Sequence, residues 1–274
     1  MHASVITHLR CPVCAGSLNA ANRALRCAAG HSFDLARQGY ADLTAGRSVH
    51  AGDSADMVAA REALLEAGHF DVVSDAVSAA AAGVPGKGLI LEVGAGTGRY
   101  LARALGPARV GLAVDVSKAA LRRAARADPR IGAVRADVWR GLPVRDATAD
   151  VLLDIFAPRS GAEFARVLRP GGVAVVVTPA PGHLAELVAA LGMVGVDPAK
   201  PERLAASLQP WLTHLGTTPL RADLTLDRAA AAALVGMGPS AWHTDPAEVT
   251  ATLATMAEPI TATLEVHLSL WQAA

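Results

Sequence analysis

The middle of the chain consists of short blocks of apolar residues that alternate with segments of helical spacing. After the breaker Gly83-Val84-Pro85-Gly86, the apolar blocks are continuous, which is typical of strands buried on both faces. Strands are predicted at 89–93, 110–115, 131–136, 151–156 and 173–178, and helices near 98–105, 117–127, 160–168 and 182–191. This alternation predicts an α/β fold with a parallel sheet covered by helices on both faces.

The segments on either side of this core follow simpler patterns. Upstream, Asp53-Ser54 is typical of a helix cap, and helices are predicted at about 55–68 and 71–82. Downstream, we predict a strand near 219–226, helices near 227–235 and 246–257, and a last strand at 260–271. Because the last strand alternates polar and apolar residues with a period of two, we expect it to join the sheet as an antiparallel edge strand.

Composition narrows the class of protein. The 274 residues suffice for one large and one small domain, and the net charge of zero argues against strong nonspecific binding to nucleic acid. The first 50 residues nevertheless carry an excess of three positive charges, and Arg122, Arg123 and Arg126 form a second basic group. Both groups fit either a solvated surface or an RNA footprint. Without a long apolar run or a leader-like start, we expect a cytoplasmic protein without membrane association.

The cysteines are concentrated in one short window. Cys11, Cys14 and Cys27 are followed by His31 in the pattern C-x2-C-x12-C-x3-H. Two short-spaced pairs of this kind supply the four tetrahedral ligands of a structural zinc ion. The alternatives are ordinary buried cysteines, or a disulfide between Cys14 and Cys27. Because residues 1–50 have little core of their own, zinc would supply the missing stability.

A glycine-rich turn follows the first predicted core strand. The strand at 89–93 runs into Gly94, Gly96 and Gly98, and Asp115 closes the next strand. Glycines let the backbone pass close beneath a ligand, and the helix start offers unpaired N–H groups. A carboxylate at the end of the second strand can accept hydrogen bonds from both ribose hydroxyls. The pattern therefore predicts a nucleotide-binding crevice.

Three details distinguish this turn from that of a dinucleotide-binding fold. The spacing is G-x-G-x-G, Glu92 precedes the first glycine by two residues, and Asp137-Val138 follows the third strand. Together with the turn at 169–172, they resemble the motif set of class I S-adenosylmethionine-dependent methyltransferases. The resemblance implies a Rossmann-like core, with Glu92 near the amino-acid end of the cofactor and Asp137-Val138 at the adenine. A glycine turn used only for packing, or a nicotinamide-dependent dehydrogenase, remains the alternative.

The sequence of the whole chain resembles one family more closely. It is similar to the 23S rRNA guanine-N1 methyltransferases of the RlmA type, which include the tylosin-resistance enzymes of actinomycetes. The segments that carry the resemblance are 11–14, 27–34, 37–40, 56–61, 67–70, 115–118, 136–139, 156–158, 178–184 and 237–243. The resemblance implies methyl transfer from S-adenosylmethionine to N1 of a guanine in a 23S rRNA hairpin loop, with a role in tylosin-type macrolide resistance.

The resemblance also implies roles for individual residues. Phe70 and His183 would line the cofactor pocket beside Gly96 and Thr97, although some family members have tyrosine in place of Phe70. Taken alone, Phe70 fits a core aromatic and His183 a helix-start histidine. The full set of expected cofactor-binding residues is Phe70, Glu92, Gly94, Gly96, Thr97, Gly98, Asp115, Asp137, Val138 and His183.

The chemistry requires a group that accepts the N1 proton of guanine. Asp154 is the candidate catalytic residue, with Glu163 as a second candidate, and Trp242 either stacks the base or packs the C-terminal helices. We expect a zinc-knuckle RNA-recognition domain at 1–50, a helical connector at 51–86 and the methyltransferase domain at 87–274. The expected partners are the rRNA hairpin and a second copy of the chain. A small-molecule methyltransferase with a structural zinc element, or a noncatalytic zinc protein, is the alternative.

Overall fold

The structure, a computed structural model, describes residues 1–44, 46, 50–238, 241 and 244–274. Its strands are β1 (Asn19–Ala21), β2 (Ala24–Arg26), β3 (Ser32–Asp34), β4 (Tyr40–Asp42), β5 (Leu89–Val93), β6 (Val110–Asp115), β7 (Ile131–Arg135), β8 (Ala149–Ile155), β9 (Leu168–Pro179), β10 (Thr213–Leu226) and β11 (Ile260–Gln272). Its helices are α1 (Ala3–Ile6), α2 (Ala55–Glu66), α3 (Asp71–Ala82), α4 (Arg99–Ala104), α5 (Lys118–Ala127), α6 (Gly161–Val167), α7 (Ala185–Leu191), α8 (Lys200–Leu208), α9 (Arg228–Gly236) and α10 (Pro246–Thr255).

A mixed sheet organises the part of the chain that the structure describes. Its strand order is β10-β11-β9-β8-β5-β6-β7-β4, in which the five predicted core strands run parallel. Strands β5 and β8 are buried along their whole length, which explains their continuous apolar sequences. The carboxyl ends of the parallel strands meet at one edge, where a doubly wound sheet places its ligands.

The prediction that the last strand lies at the sheet edge is wrong. Strand β11 pairs antiparallel with β9 on one side and with β10 on the other, so β10 forms the edge. Along β11, Thr261 is exposed but Thr263 and Ser269 are buried, and Ser269 accepts a hydrogen bond from the Trp271 indole at 2.9 Å. Mostly exposed residues lie instead along β10. Buried polar residues thus give β11 the alternating polar and apolar sequence of an edge strand, although strands cover it on both sides.

The first 44 residues share the core of the large sheet. Strands β1 to β3 form a small separate sheet, but β4 pairs with β7 in parallel register. Helix α1 lies against the main sheet so closely that a Cβ atom on Gly132 would come within 2.6 Å of Val5. The division at residue 50 stays a prediction, and the sheet runs across it. Within the described residues, no helix is long and apolar enough to cross a membrane.

Candidate cofactor site and metal centre

The four predicted metal ligands come together in space. The Sγ atoms of Cys14 and Cys27 are 3.7 Å apart, and Nδ1 of His31 lies 3.6 Å from Sγ of Cys11 and 3.3 Å from Sγ of Cys27. All four candidate ligand atoms lie within 4.8 Å of one another. The Cys14–Cys27 distance rules out a disulfide here, because bonded sulfurs are only about 2.05 Å apart.

These separations suit one zinc ion. Tetrahedral bonds of about 2.3 Å to sulfur and 2.0 Å to nitrogen place neighbouring sulfurs about 3.8 Å apart and sulfur and nitrogen about 3.5 Å apart. The observed distances of 3.7, 3.6 and 3.3 Å agree with those values. Four protein ligands fill the coordination shell, so the site has the closed character of a structural centre.

The glycine-rich turn leaves β5 at the ligand-binding edge of the sheet. Gly94, Gly96 and Gly98 all have positive φ, at 65°, 52° and 75°. The Asp115 carboxylate accepts hydrogen bonds from the backbone N–H groups of Gly96 at 2.9 Å and Ser117 at 2.7 Å. Burial raises the pKa of Asp115 despite these bonds. The carboxylate thus joins the turn to the end of β6.

Glu92 and Thr97 are both buried beside the turn. Oε2 of Glu92 accepts a hydrogen bond from the backbone N–H of Leu101 at 3.2 Å, so the carboxyl group holds the start of α4. Burial and the neighbouring Asp115 charge place the pKa of Glu92 well above its ordinary value. A cationic ligand beside it would favour the ionised form. This environment fits the ammonium and sulfonium groups of S-adenosylmethionine.

Asp137 and Val138 are buried at the end of β7. Oδ1 of Asp137 accepts from the backbone N–H of Trp139 at 3.0 Å, and Oδ2 lies 2.7 Å from Nδ1 of His50. Asp137 also lines a cavity of about 340 Å³ that reaches Cys11 and Cys14. The metal centre and the expected adenine end of the cofactor site therefore border the same space.

A cluster of three aromatic rings lies at the carboxyl ends of β8 and β9. The Phe156 ring makes an edge-to-face contact with the buried Phe70 ring at a centroid distance of 6.4 Å, and lies 6.0 Å from the His183 ring. Burial, reinforced by the Lys200 charge, lowers the pKa of His183 to about 4. Nδ1 of His183 accepts a hydrogen bond from the backbone N–H of Glu265 at 3.3 Å, so the neutral ring carries its proton on Nε2.

The two candidate proton acceptors differ sharply. Asp154 is fully buried and paired with Arg159 through Oδ2 at 2.8 Å, while its Oδ1 is buried with no hydrogen-bond partner among the described residues. Burial raises the pKa of Asp154 to about 6, although the Arg159 charge opposes the shift. Glu163 instead binds Arg166 and the Leu142 backbone, and these contacts outweigh burial and lower its pKa. Glu163 therefore braces a loop, and Asp154 remains the candidate at the site.

The structure reveals two residues that the motifs did not assign to a role. Arg61 contacts Asp53 and donates to the Met237 carbonyl at 2.8 Å, and a Cβ on Gly96 would lie 3.5 Å from its Nη1. Arg61 is close to the turn because of the way α2 packs, and the sequence around Arg61 does not predict that packing. Phe156 directly follows β8, and this position at the carboxyl end of a core strand is the sequence feature that could have identified it as a site residue. Trp242, the predicted stacking or packing residue, lies outside the described residues.

The fold and these site features are those of a class I methyltransferase. A methyltransferase-domain family model matches residues 90–172. Two solved structures share the fold: a chain from the complex of the Haloferax volcanii Trm112 activator with a methyltransferase (TM-score 0.53, 20% identity, 82% of this chain and 99% of that chain) and the YcgJ protein of Bacillus subtilis (TM-score 0.50, 16% identity, 68% and 91%). The family model of the RlmA N-terminal zinc ribbon matches residues 9–45.

Full-length relatives identify the family. A Micromonospora griseorubida protein provisionally named a 23S rRNA (guanine-N(1)-)-methyltransferase is 52% identical over 293 residues, covering 99% of each chain. The 23S rRNA (guanine(748)-N(1))-methyltransferase of Streptomyces fradiae is 47% identical over 254 residues, covering 91% of each chain. The chain belongs to the 23S rRNA (guanine-N1)-methyltransferase family of the RlmA type. Its cofactor is S-adenosylmethionine, and its ribbon holds a structural zinc ion.

Proposed function

We propose that this enzyme transfers a methyl group from S-adenosylmethionine to N1 of a guanine in a 23S rRNA hairpin loop. The observation that carries the proposal is the 47–52% identity to 23S rRNA guanine-N1 methyltransferases, which extends through the ribbon as well as the core. A small-molecule enzyme would need only the core. The excess of positive charge in residues 1–50 supports a ribbon that contacts RNA phosphates.

The positions of the buried groups support a set of cofactor-binding roles. We propose that Asp115 binds the ribose hydroxyls, Glu92 the amino-acid end, and Asp137 with the Val138 backbone the adenine. The remaining cofactor contacts are assigned to the turn and the pocket wall, at Phe70, Gly94, Gly96, Thr97, Gly98 and His183. S-adenosylmethionine supplies an electrophilic methyl group, and the chain's task is to orient N1 in line with it.

Three further features belong to this proposal. An rRNA substrate implies action in the cytoplasm, where ribosomes are assembled. Methylation of the loop would protect the ribosome from tylosin-type macrolides, as the family resemblance implies. Because the net charge is zero, one knuckle is a weak anchor, and a homodimer would bring two knuckles to one RNA. The proposed methyl transfer does not depend on these three features.

The methylated position provides the direct test. A methyl group on N1 blocks Watson–Crick pairing, so reverse transcription of 23S rRNA from expressing cells should stop at one new guanine. Mass spectrometry of that fragment should show one added methyl group. Cells that express the Asp115→Ala variant serve as the control and should show a weaker stop or none. Efficient methylation of a small metabolite with no new rRNA stop would refute the RNA assignment.

Asp154 is proposed as the acceptor of the guanine N1 proton. With a pKa of about 6, the carboxylate is mostly protonated at pH 5 and mostly ionised at pH 7. The single-turnover rate should therefore rise through pH 6 and then level off. Asp154→Asn should lower the rate by about a hundredfold or more and remove this rise, since a positioned base contributes roughly 10²–10⁴-fold.

The same strand offers a matched control. Asp150 is also buried and also paired with an arginine, Arg169, but it lies at the opposite end of β8. Asp150→Asn should reduce stability and leave the pH profile unchanged. If both variants keep the rise through pH 6, Asp154 does not accept the proton.

A further inference from the structure

Phe156 is an exposed aromatic residue between two buried neighbours. The residue is 40% exposed, whereas Ile155 and Ala157 on either side are buried. Its φ is +56°, a left-handed conformation that bulky residues rarely adopt. Leu184, next to His183 on the facing loop, has a similar φ of +57°. Two strained residues thus lie in loops that the Phe156–His183 ring contact brings together, and such strain clusters at functional sites.

The surrounding contacts fix the ring in this exposed position. The backbone N–H of Phe156 donates to the Val177 carbonyl at 3.0 Å, which extends the β8–β9 ladder. Arg159 donates to Oδ2 of Asp154 and, at 3.1 Å, to the Ala157 carbonyl, so the loop is held from beneath. On its other side, Ala157 packs against Gly94 of the cofactor turn. The loop that carries the ring therefore lies directly beside the cofactor turn.

The neighbours of the ring leave Phe156 partly exposed. Phe70 meets Phe156 edge-to-face at an interplanar angle of 89°, and His183 is tilted by 31°. The neutral His183 ring offers an Nε2–H donor, which suits the acceptor atoms along a purine edge. Proteins commonly bind an unstacked base with an aromatic ring on which it stacks and a nearby hydrogen-bond donor.

We propose that Phe156 is the platform on which the target guanine stacks during methyl transfer, with the Asp154–Arg159 ion pair positioning its loop. This inference rests on the proposed function and adds a substrate-binding residue to it. A base that leaves its own stack regains stacking on the ring, and N1 is held close to the cofactor. Stacking of one base on an aromatic side chain corresponds to about tenfold to a hundredfold in affinity.

The test compares Phe156→Ala and Phe156→Trp with a control at a similarly exposed site. Leu215 is 51% exposed and lies on the edge strand β10, so Leu215→Ala controls for the loss of surface apolar area. For each variant, the S-adenosylmethionine Kd is measured by calorimetry, and kcat and KM are measured on a hairpin RNA that the wild type methylates. A second hairpin carries 2-aminopurine at the methylated position.

We expect Phe156→Ala to lose at least tenfold in kcat/KM for RNA while its cofactor Kd changes less than twofold. Phe156→Trp should retain activity and quench the 2-aminopurine fluorescence on binding, because the larger ring still stacks. A kcat/KM equal to that of Leu215→Ala would overturn the inference. A cofactor Kd that weakens in parallel with activity would also overturn it, since the ring would then serve the cofactor. Failure of the wild type to methylate any rRNA hairpin would instead refute the proposed function.

Discussion

Replacing Gly94 by alanine is expected to weaken cofactor binding by about 30-fold or more. A Cβ at this position would lie 2.5 Å from the Cβ of Ala157, and φ is +65°. The left-handed backbone costs about 1–2 kcal/mol for a residue with a side chain, and overpacking adds about 1–3 kcal/mol. A total of about 2–5 kcal/mol corresponds to roughly a 30-fold to several-thousand-fold loss of affinity if the turn must move to relieve the clash. Calorimetry with S-adenosylmethionine measures this loss.

Two further variants separate the clash from the backbone strain. Gly106 has a φ of +57° and no atom within 4 Å of an added Cβ, so Gly106→Ala should be mildly destabilising and bind the cofactor normally. The double variant Gly94→Ala/Ala157→Gly removes the clash and should recover most of the affinity. If the double variant binds no better than Gly94→Ala alone, the contact between the turn and the Phe156 loop is not what makes glycine necessary.

Removal of zinc is expected to abolish RNA methylation and to spare cofactor binding. Strands β1 to β3 have three residues each, so the knuckle depends on metal binding, which contributes about 10–16 kcal/mol of apparent free energy in small zinc modules. Cys27→Ala should lose stoichiometric zinc and RNA activity. The Gly94–Gly98 turn and Asp115 lie in the core, so the cofactor Kd should stay within a fewfold of wild type.

A conservative variant distinguishes loss of metal from loss of a side chain. His31→Cys keeps four ligands and should retain zinc by elemental analysis together with most of the RNA activity. The thermal transition of Cys27→Ala should fall by several degrees, because Val5 and Leu9 of the knuckle pack into the same core as the sheet. A zinc-free protein that methylates the hairpin at the wild-type rate would contradict the recognition role of the knuckle.

The elements that the sequence predicts well are those determined by local pattern. The buried strand β5 has the predicted bounds, because a continuous apolar run between breakers leaves little choice. The metal cluster was equally accessible, since its four ligands span 21 residues at a spacing that zinc geometry requires. The glycine turn and Asp115 likewise lie within one strand–turn–helix–strand unit.

The elements that the sequence missed depend on distant contacts. Strand β4 has only three residues, and its strand character comes from pairing with β7 about 90 residues away. Helix α8 starts at Lys200-Pro201 and buries only Leu204 and Leu208, so its helical pattern is weak. In the site, the exposed ring of Phe156 and the tautomer of His183 depend on backbone angles and on a hydrogen bond from β11. No local pattern contains that information.

The docking of the knuckle on the sheet has a consequence for synthesis on the ribosome. Its contacts include Val5 against Gly132, and the backbone N–H of Arg10 donates to the Pro143 carbonyl at 3.1 Å. These partners are translated about 130 residues later, several seconds after the zinc ligands have left the exit tunnel at about 5–20 residues per second. The nascent knuckle therefore has an apolar side uncovered during this interval, and we expect metal supply and chaperone access during elongation to affect the yield.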